Sequence, residues 1–386
     1  MVGDAALREA LMNSASTLRR ILALAVLALP TAALAQLPQP LPQPVPRQGQ
    51  ILDISGDPVL SGLPVTRLTV DLDRQPARKA AAALSTGEVF VEIYGNNDAW
   101  DRQVVTMHLR DAPYMEGLMQ VRQQLRAFTE VRGPSTWLTL KYQRDEIPPW
   151  CVAGPFAVLY YGMMREAGLY GAITRSTALR LELLAEPGIH VLKCMENVQC
   201  PGLEDNKHQP IGIAADQKLG TRQLHPLDLI LTMPELPGRR IPLLKGTIDA
   251  QVARMVPMEL ANVTEKHTLA LEGMNIEVSP LESENDTILH VLRVEYTRGT
   301  MAPEKWAQVV WGASFTRPYL QGTGGIIKVS GPKYKPGENL PPTDVVRLQY
   351  DVVVEKGAVA GQATLNVPMG VLDVRVPFEF KDVVIP

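Results

Sequence analysis

Two stretches in the last part of the chain alternate apolar and polar residues without a break. Val346, Leu348, Tyr350, Val352 and Val354 form one. Leu372, Val374, Val376, Phe378 and Phe380, set against Asp373, Arg375, Glu379 and Lys381, form the other. A period of two means one buried face and one wet face, which commits such segments to half-buried antiparallel strands. The same reading covers Leu179–Leu183, Gly246–Val252, Thr268–Val278 and Ile288–Tyr296, with a turn at Glu186-Pro187-Gly188. The chain of 386 residues carries 32 Pro and 29 Gly, a density that favours turns and short strands over long helices. Residues 151–386 therefore read as a β-sandwich region, either one sandwich or two with a boundary near 250.

Residues 65–145 read differently. Leu68, Val70 and Leu72 alternate as a strand, Gln75-Pro76 opens an alanine-rich helix to Leu84, and Gly87 stops it before a strand at Val89–Ile93. The pattern then returns. Val105, Met107 and Leu109 alternate, Asp111 is a candidate cap, and Pro113 suits a first helical turn. Met115, Leu118, Met119, Leu125 and Phe128 give this second helix an apolar face, and a strand follows at Leu138–Tyr142. The predicted fold class is α+β: an N-terminal β-α-β repeat followed by an antiparallel β-sandwich region.

The N-terminus reads as an export address. Arg19-Arg20 precede the apolar run Ile21–Leu29, and Ala33-Leu34-Ala35 forms a small-residue cleavage site, so 1–35 is the expected signal peptide. The run is shorter than the ~20 apolar residues that span a bilayer. Residues 36–64 are the expected linker, beginning with a polyproline-like spacer at 36–46. The expected location is periplasmic or secreted, with no membrane span after cleavage.

Composition narrows the function. The formal net charge of −3 and 5% aromatic content speak against a nucleic-acid partner. No Gly-x-Ser-x-Gly, His-Glu-x-x-His, Walker loop or Cys-x-x-Cys occurs. No residue is assigned a catalytic or cofactor-binding role, and no cofactor is expected. Glu204, Asp205 and Asn206 are the candidate oxygen ligands for a hard cation, weighed against a polar turn. Cys194 and Cys200 are the candidate disulfide pair in an oxidising compartment, with Cys151 left as a buried hydrophobe. Trp306 and Trp311, read on a strand, fall on opposite faces. Gly322-Thr323-Gly324-Gly325 reads as a hairpin turn.

The two openings Thr69-Val-Asp-Leu-Asp-Arg-Gln-Pro76 and Thr106-Met-His-Leu-Arg-Asp-Ala-Pro113 resemble the short N-terminal module of secretins and TonB-dependent receptors. Ser85-Thr86-Gly87 matches the helix ending of that module, and the second copy lacks the glycine. Gly154-Pro155-Phe156, Leu203-Glu204-Asp205-Asn206 and Val376-Pro377-Phe378-Glu379-Phe380 resemble pieces of exported bacterial proteins of unknown function. The resemblance implies protein–protein contact with an envelope partner rather than catalysis. The leading expectation is a non-enzymatic exported protein acting in interaction or assembly. The alternatives are a carbohydrate- or calcium-binding β-sandwich and an exported hydrolase of envelope polymers using Glu204 and Asp205.

Overall fold

The computed structural model describes residues 49–87, 89–95, 100, 102–131, 137–143, 147–167, 173–213, 227–283, 288–314, 316–325, 327–333 and 343–386. The expected signal peptide and the 36–46 spacer lie outside them, as do Asp145-Glu146, which reads as a linker before two prolines, and Glu284–Asp286, which reads as a solvated loop.

The strand at Val345–Val354 forms as its alternation predicts. Val346, Leu348, Tyr350, Val352 and Val354 are all buried, against Met274, Ile276, Val294 and Tyr296. The sheet runs in the order 267–271, 274–278, 289–297, 345–354, 327–329. Thr268–Val278, read as one strand, is two. Glu272 (φ 47) and Gly273 (φ 87) turn it back on itself, the positive-φ pair of a tight hairpin.

The dominant feature is a long antiparallel pair. Arg240–Leu260 lies along Val359–Val384 from Arg240↔Val384 to Leu260↔Ala363. Its two ends bury into different cores. Ile248, Ala250, Val252, Val374, Val376, Phe378 and Phe380 face one core; Leu260, Ala363, Leu365, Val367 and Met369 face the other. The change of phase falls at a bulge between Val252 and Arg254, opposite Gly370 (φ 59). An extra residue in one strand flips the side-chain alternation beyond it. Val371 is consequently buried, and Leu372, read as core, is 43% exposed.

In the first core the sheet holding 189–199, 240–260, 359–384 and 319–323 faces a second sheet, ordered 50–51, 150–153, 156–167, 173–185, 227–232, 212–213. Cys151, Phe156 and Val158 point into this sandwich. Trp150, Val152, Ala157 and Leu159 point the other way, onto the N-terminal module. The strand Trp150–Ala153 is thus buried on both faces.

That module corrects the fold class. Of the described residues 58% are strand and 13% helix, so the fold is mostly β rather than α+β, and among them no β-α-β repeat forms. The element order is present: Arg67–Pro76, helix Ala77–Leu84, Phe90–Ile93; then Val104–Pro113, helix Tyr114–Leu125, Ala127–Val131. The strands flanking each helix, however, belong to different sheets. Arg67–Pro76 pairs antiparallel with Val104–Pro113, while Phe90–Ile93 and Ala127–Val131 flank Trp137–Tyr142. A β-α-β unit returns the chain beside the strand it left. Here Arg67–Pro76 is instead paired with its own copy Val104–Pro113, and the strand after each helix begins in a new sheet. The apolar side of the helices packs as read: Ala80, Ala81, Leu84, Met115, Leu118, Met119 and Leu125 are buried. Asp111 is no cap, because it sits at φ 50 inside the strand, and Pro113 takes the cap position. Phe128 leaves the helical face, since Arg126 (φ 47) ends the helix one turn early.

Trp306 and Trp311 lie on a helix, Pro303–Ala313, started by proline and packed on the far core through Trp306, Val309 and Val310. The glycine run at 322–325 turns the chain, but it joins two sheets rather than a hairpin: Tyr319–Thr323 pairs with the long strand and Ile327–Val329 with Val345–Val354.

Candidate functional site

The Glu204–Asn206 candidates do not converge. Asp205 is fully buried, its Oδ1 accepting from the amides of Lys207 at 2.7 Å and Gln209 at 3.0 Å, and its Oδ2 from the amide of Gly238. Asn206 Oδ1 accepts from the amides of Arg239 at 2.9 Å and Arg240 at 3.3 Å. Glu204 points outward and pairs with His208 at 3.0 Å. Burial pushes the Asp205 carboxyl pKa up, but the amides of Gly238, Gln209 and Lys207, with the Lys207 ammonium, outweigh it and hold the group below its ordinary value. Both oxygens are thus spent on backbone donors, which is the chemistry of a clamp at the start of the long strand. Among the described residues no group of three or more His, Cys, Asp or Glu is arranged to hold a metal. The hydrolase alternative loses its acid–base pair for the same reason: Asp205 faces inward and Glu204 outward. Beside the clamp an open cleft of about 450 Å³ is lined by Gly238, Arg239, Arg240 and Ile385.

The expected Cys194–Cys200 bridge is absent; all three cysteines are free thiols. Cys194 lies opposite Ala250, and Gln199 opposite Thr247, which places Cys200 beside Gly246. Four residues of strand separate those partner positions, ~13 Å at the usual rise. A disulfide needs Cα atoms within about 7 Å. Burial raises the thiols, Cys151 to about 12 and Cys194 and Cys200 to about 11, so none is a thiolate nucleophile near neutral pH.

The outer face of the three-stranded sheet Phe90–Ile93, Trp137–Tyr142, Ala127–Val131 carries exposed aromatic and charged side chains around the buried Thr139. Directly paired residues share a face. One row across it is Tyr94, Lys141 and Phe128; the next is Glu92, Thr139 and Glu130; Phe90 starts a third. Phe90 and Tyr94 are each 53% exposed and Phe128 37%. The Lys141 ammonium lies 5.1 Å from the Tyr94 ring centroid and 5.9 Å from that of Phe128, a double cation–π contact, and pairs with Glu130. Thr139 Oγ1 donates to Glu92 Oε1 at 3.0 Å. The inner face, Val91, Leu138 and Leu140, is buried on the helices, so the platform is rigidly backed. Helical spacing from Met115 to Phe128 hides Phe128 from this face in the sequence; the Phe90-x-Glu92-x-Tyr94 alternation is the signal that points to it.

A second exposed feature is an edge. His267–Leu271 ends its sheet, and its outer flank is unpaired among the described residues. The strand holds no Lys, Arg, Asp, Glu or Pro, the devices that normally guard an edge. Thr268 and Ala270 face outward.

No protein family matches the sequence, and no curated protein is similar to it. One solved structure, described as the crystal structure of the conserved domain protein from Bacillus anthracis, aligns over 61% of this chain and 90% of its own length. It does so at 9% identity and a TM-score of 0.16, which carries no argument about fold or function.

Proposed function

We propose that this chain is an exported, non-enzymatic envelope protein that acts by binding and assembly with a protein partner. The observation that carries this reading is the unguarded edge strand His267–Leu271. Strand addition supplies main-chain hydrogen bonds to such an edge, and the alternating side chains give specificity. The export-type residues 1–35 support the location, and the edge strand is held to its sheet by five paired positions along Met274–Val278. Among the described residues no helix is long and apolar enough to cross a membrane. The test is affinity recovery of the tagged full chain from cells, against a Thr268→Lys/Ala270→Lys variant. The reading expects an envelope protein recovered with the parent chain and depleted at least tenfold with the variant. Equal recovery from both overturns it.

A further inference from the structure

We propose that the strand added to the His267–Leu271 edge is the same strand of a second copy of this chain, antiparallel about a two-fold axis at Leu269. The inference rests on the assembly reading of that edge and supplies the identity of the partner. The hairpin turn at Glu272-Gly273 fixes which main-chain groups are free. Leu271, Leu269 and His267 stand opposite Met274, Ile276 and Val278, and the pair flanking a two-residue turn exchanges hydrogen bonds. The alternation then turns the N–H and C=O of Thr268 and Ala270 outward. Among the described residues these groups have no partner.

The register follows from matching these groups to themselves. With the axis at Leu269, Thr268 lies opposite Ala270 of the second copy, and each N–H meets the other's C=O, on both sides of the axis. A slip of one residue sets outward groups against inward ones. Moving the axis to Thr268 or Ala270 keeps the bonding sense but cuts the overlap of the five-residue strands to three. The charges select the same arrangement. The strand itself is uncharged, with Lys266 just before it and Glu272 just after. In the Leu269 register Lys266 stands opposite Glu272 of the second copy, twice. Lys266 also pairs with Glu277, and Glu272 with Lys305, all half-exposed, so charges of alternating sign meet across the junction. An edge positive at one end and negative at the other is complementary to its own reversed copy. A parallel copy, or a uniformly acidic or basic strand, would meet a like charge. The contact is isologous, so it closes at two copies and covers the unguarded edge of both.

The test is a disulfide across the axis. Leu269 would face itself at a non-bonded pair, with Cα atoms about 4.5 Å apart, inside disulfide range. The full chain carrying Leu269→Cys, mildly oxidised at micromolar concentration, should give a reducible covalent dimer. Leu271→Cys, whose own copy lies about 13 Å away along the strand, should give at least tenfold less. Sedimentation of the parent should show a concentration-dependent dimer. Ala270→Pro removes one outward N–H at an edge position that tolerates proline, and should give monomer with unchanged melting. Lys266→Glu should weaken the dimer about tenfold, and Lys266→Glu/Glu272→Lys should restore it. That rescue reads the contact between copies, because the swap leaves Glu277 and Lys305 beside like charges. A parent that stays monomeric, equal cross-linking from positions 269 and 271, or a double swap no better than the single change overturns the proposal. If it is overturned while recovery from cells still depends on Thr268 and Ala270, the edge takes a strand of another protein and the assembly reading stands. Recovery indifferent to those two residues overturns that reading instead.

Discussion

The backbone amide of Arg74 donates to Oγ1 of Thr106 at 3.1 Å, and the amide of Asp111 donates to Oγ1 of Thr69 at 3.2 Å. The two contacts are reciprocal. Thr69 and Arg74 occupy the same places in the first copy of the repeat as Thr106 and Asp111 in the second. Arg74 (φ 46) and Asp111 (φ 50) both take the left-handed conformation, with register shifts between Leu68 and Val70 and between Leu72 and Gln75. The repeat therefore encodes a strand that pairs with its own copy, each bulge held by the other copy's threonine. Thr69→Val and Thr106→Val should each cost ~0.5–1.5 kcal/mol in urea unfolding, the net worth of one hydrogen bond. Two substitutions without effect would show that the bulges need no pinning.

Glu186 is 3% exposed, and its Oε1 accepts the Thr66 amide at 2.9 Å. Its Oε2 and the nearby Tyr114 hydroxyl are buried without partners. Burial raises the Glu186 pKa above the ordinary 4.5, against the opposing pull of the Thr66 bond and the Arg67 charge. An acid raised in the fold favours folding fully below its unfolded value, and that contribution is lost as pH rises through the folded value. Glu186→Gln should thus stabilise the chain at pH 7, on the order of 1 kcal/mol for an orphaned buried acceptor, and little at pH 4. A variant less stable at pH 7 than the parent contradicts this.

Asp205 has the opposite sign. Its folded-state pKa is depressed, so its contribution is present above the unfolded value and lost as pH falls through the folded one. Asp205→Ala leaves three backbone amides without their acceptor and should lower the melting temperature at pH 7, with the gap to the parent closing in acid. Removing calcium with a chelator should leave the parent's melting temperature unchanged, as expected of a clamp rather than a metal site.

The three thiols give a chemical check. Native protein should react slowly with a disulfide reagent at pH 8, since burial holds Cys151, Cys194 and Cys200 protonated, and all three should react at once in denaturant. Only one reactive thiol in denaturant would reveal a bridge.

Phe378 is fully buried on the long pair, in contact with Phe380 at 6.2 Å between ring centroids. Phe378→Ala should cost ~3–5 kcal/mol, as for other buried aromatics. A cost below 1 kcal/mol would mean that the long pair does not anchor that core.

Legibility in the sequence followed the absence of bulges. Val345–Val354 has none, and every apolar position predicted there is buried. Leu372 lies just past the bulge opposite Val252–Arg254, and the alternation misplaces it. The helix at 303–313 is hidden when Trp306 and Trp311 are placed on a strand period, although Pro303 at its start is a helix signal. In the N-terminal module the order of elements is legible while their pairing is not, since partners such as Arg67–Pro76 and Val104–Pro113 are distant in sequence and alternation says only which face is buried. The exposed aromatic face escaped for a related reason: Phe90, Tyr94 and Phe128 meet only through a third strand, Trp137–Tyr142, distant from Phe90 in sequence.

The most direct test of the binding account is photo-cross-linking in cells. A photoreactive side chain is placed at Ala270 on the open edge and, as control, at Glu304 on the far helix. The account predicts a discrete cross-link to an envelope protein from position 270 and none from 304. Cross-links absent at 270, or equal at both positions, would contradict it.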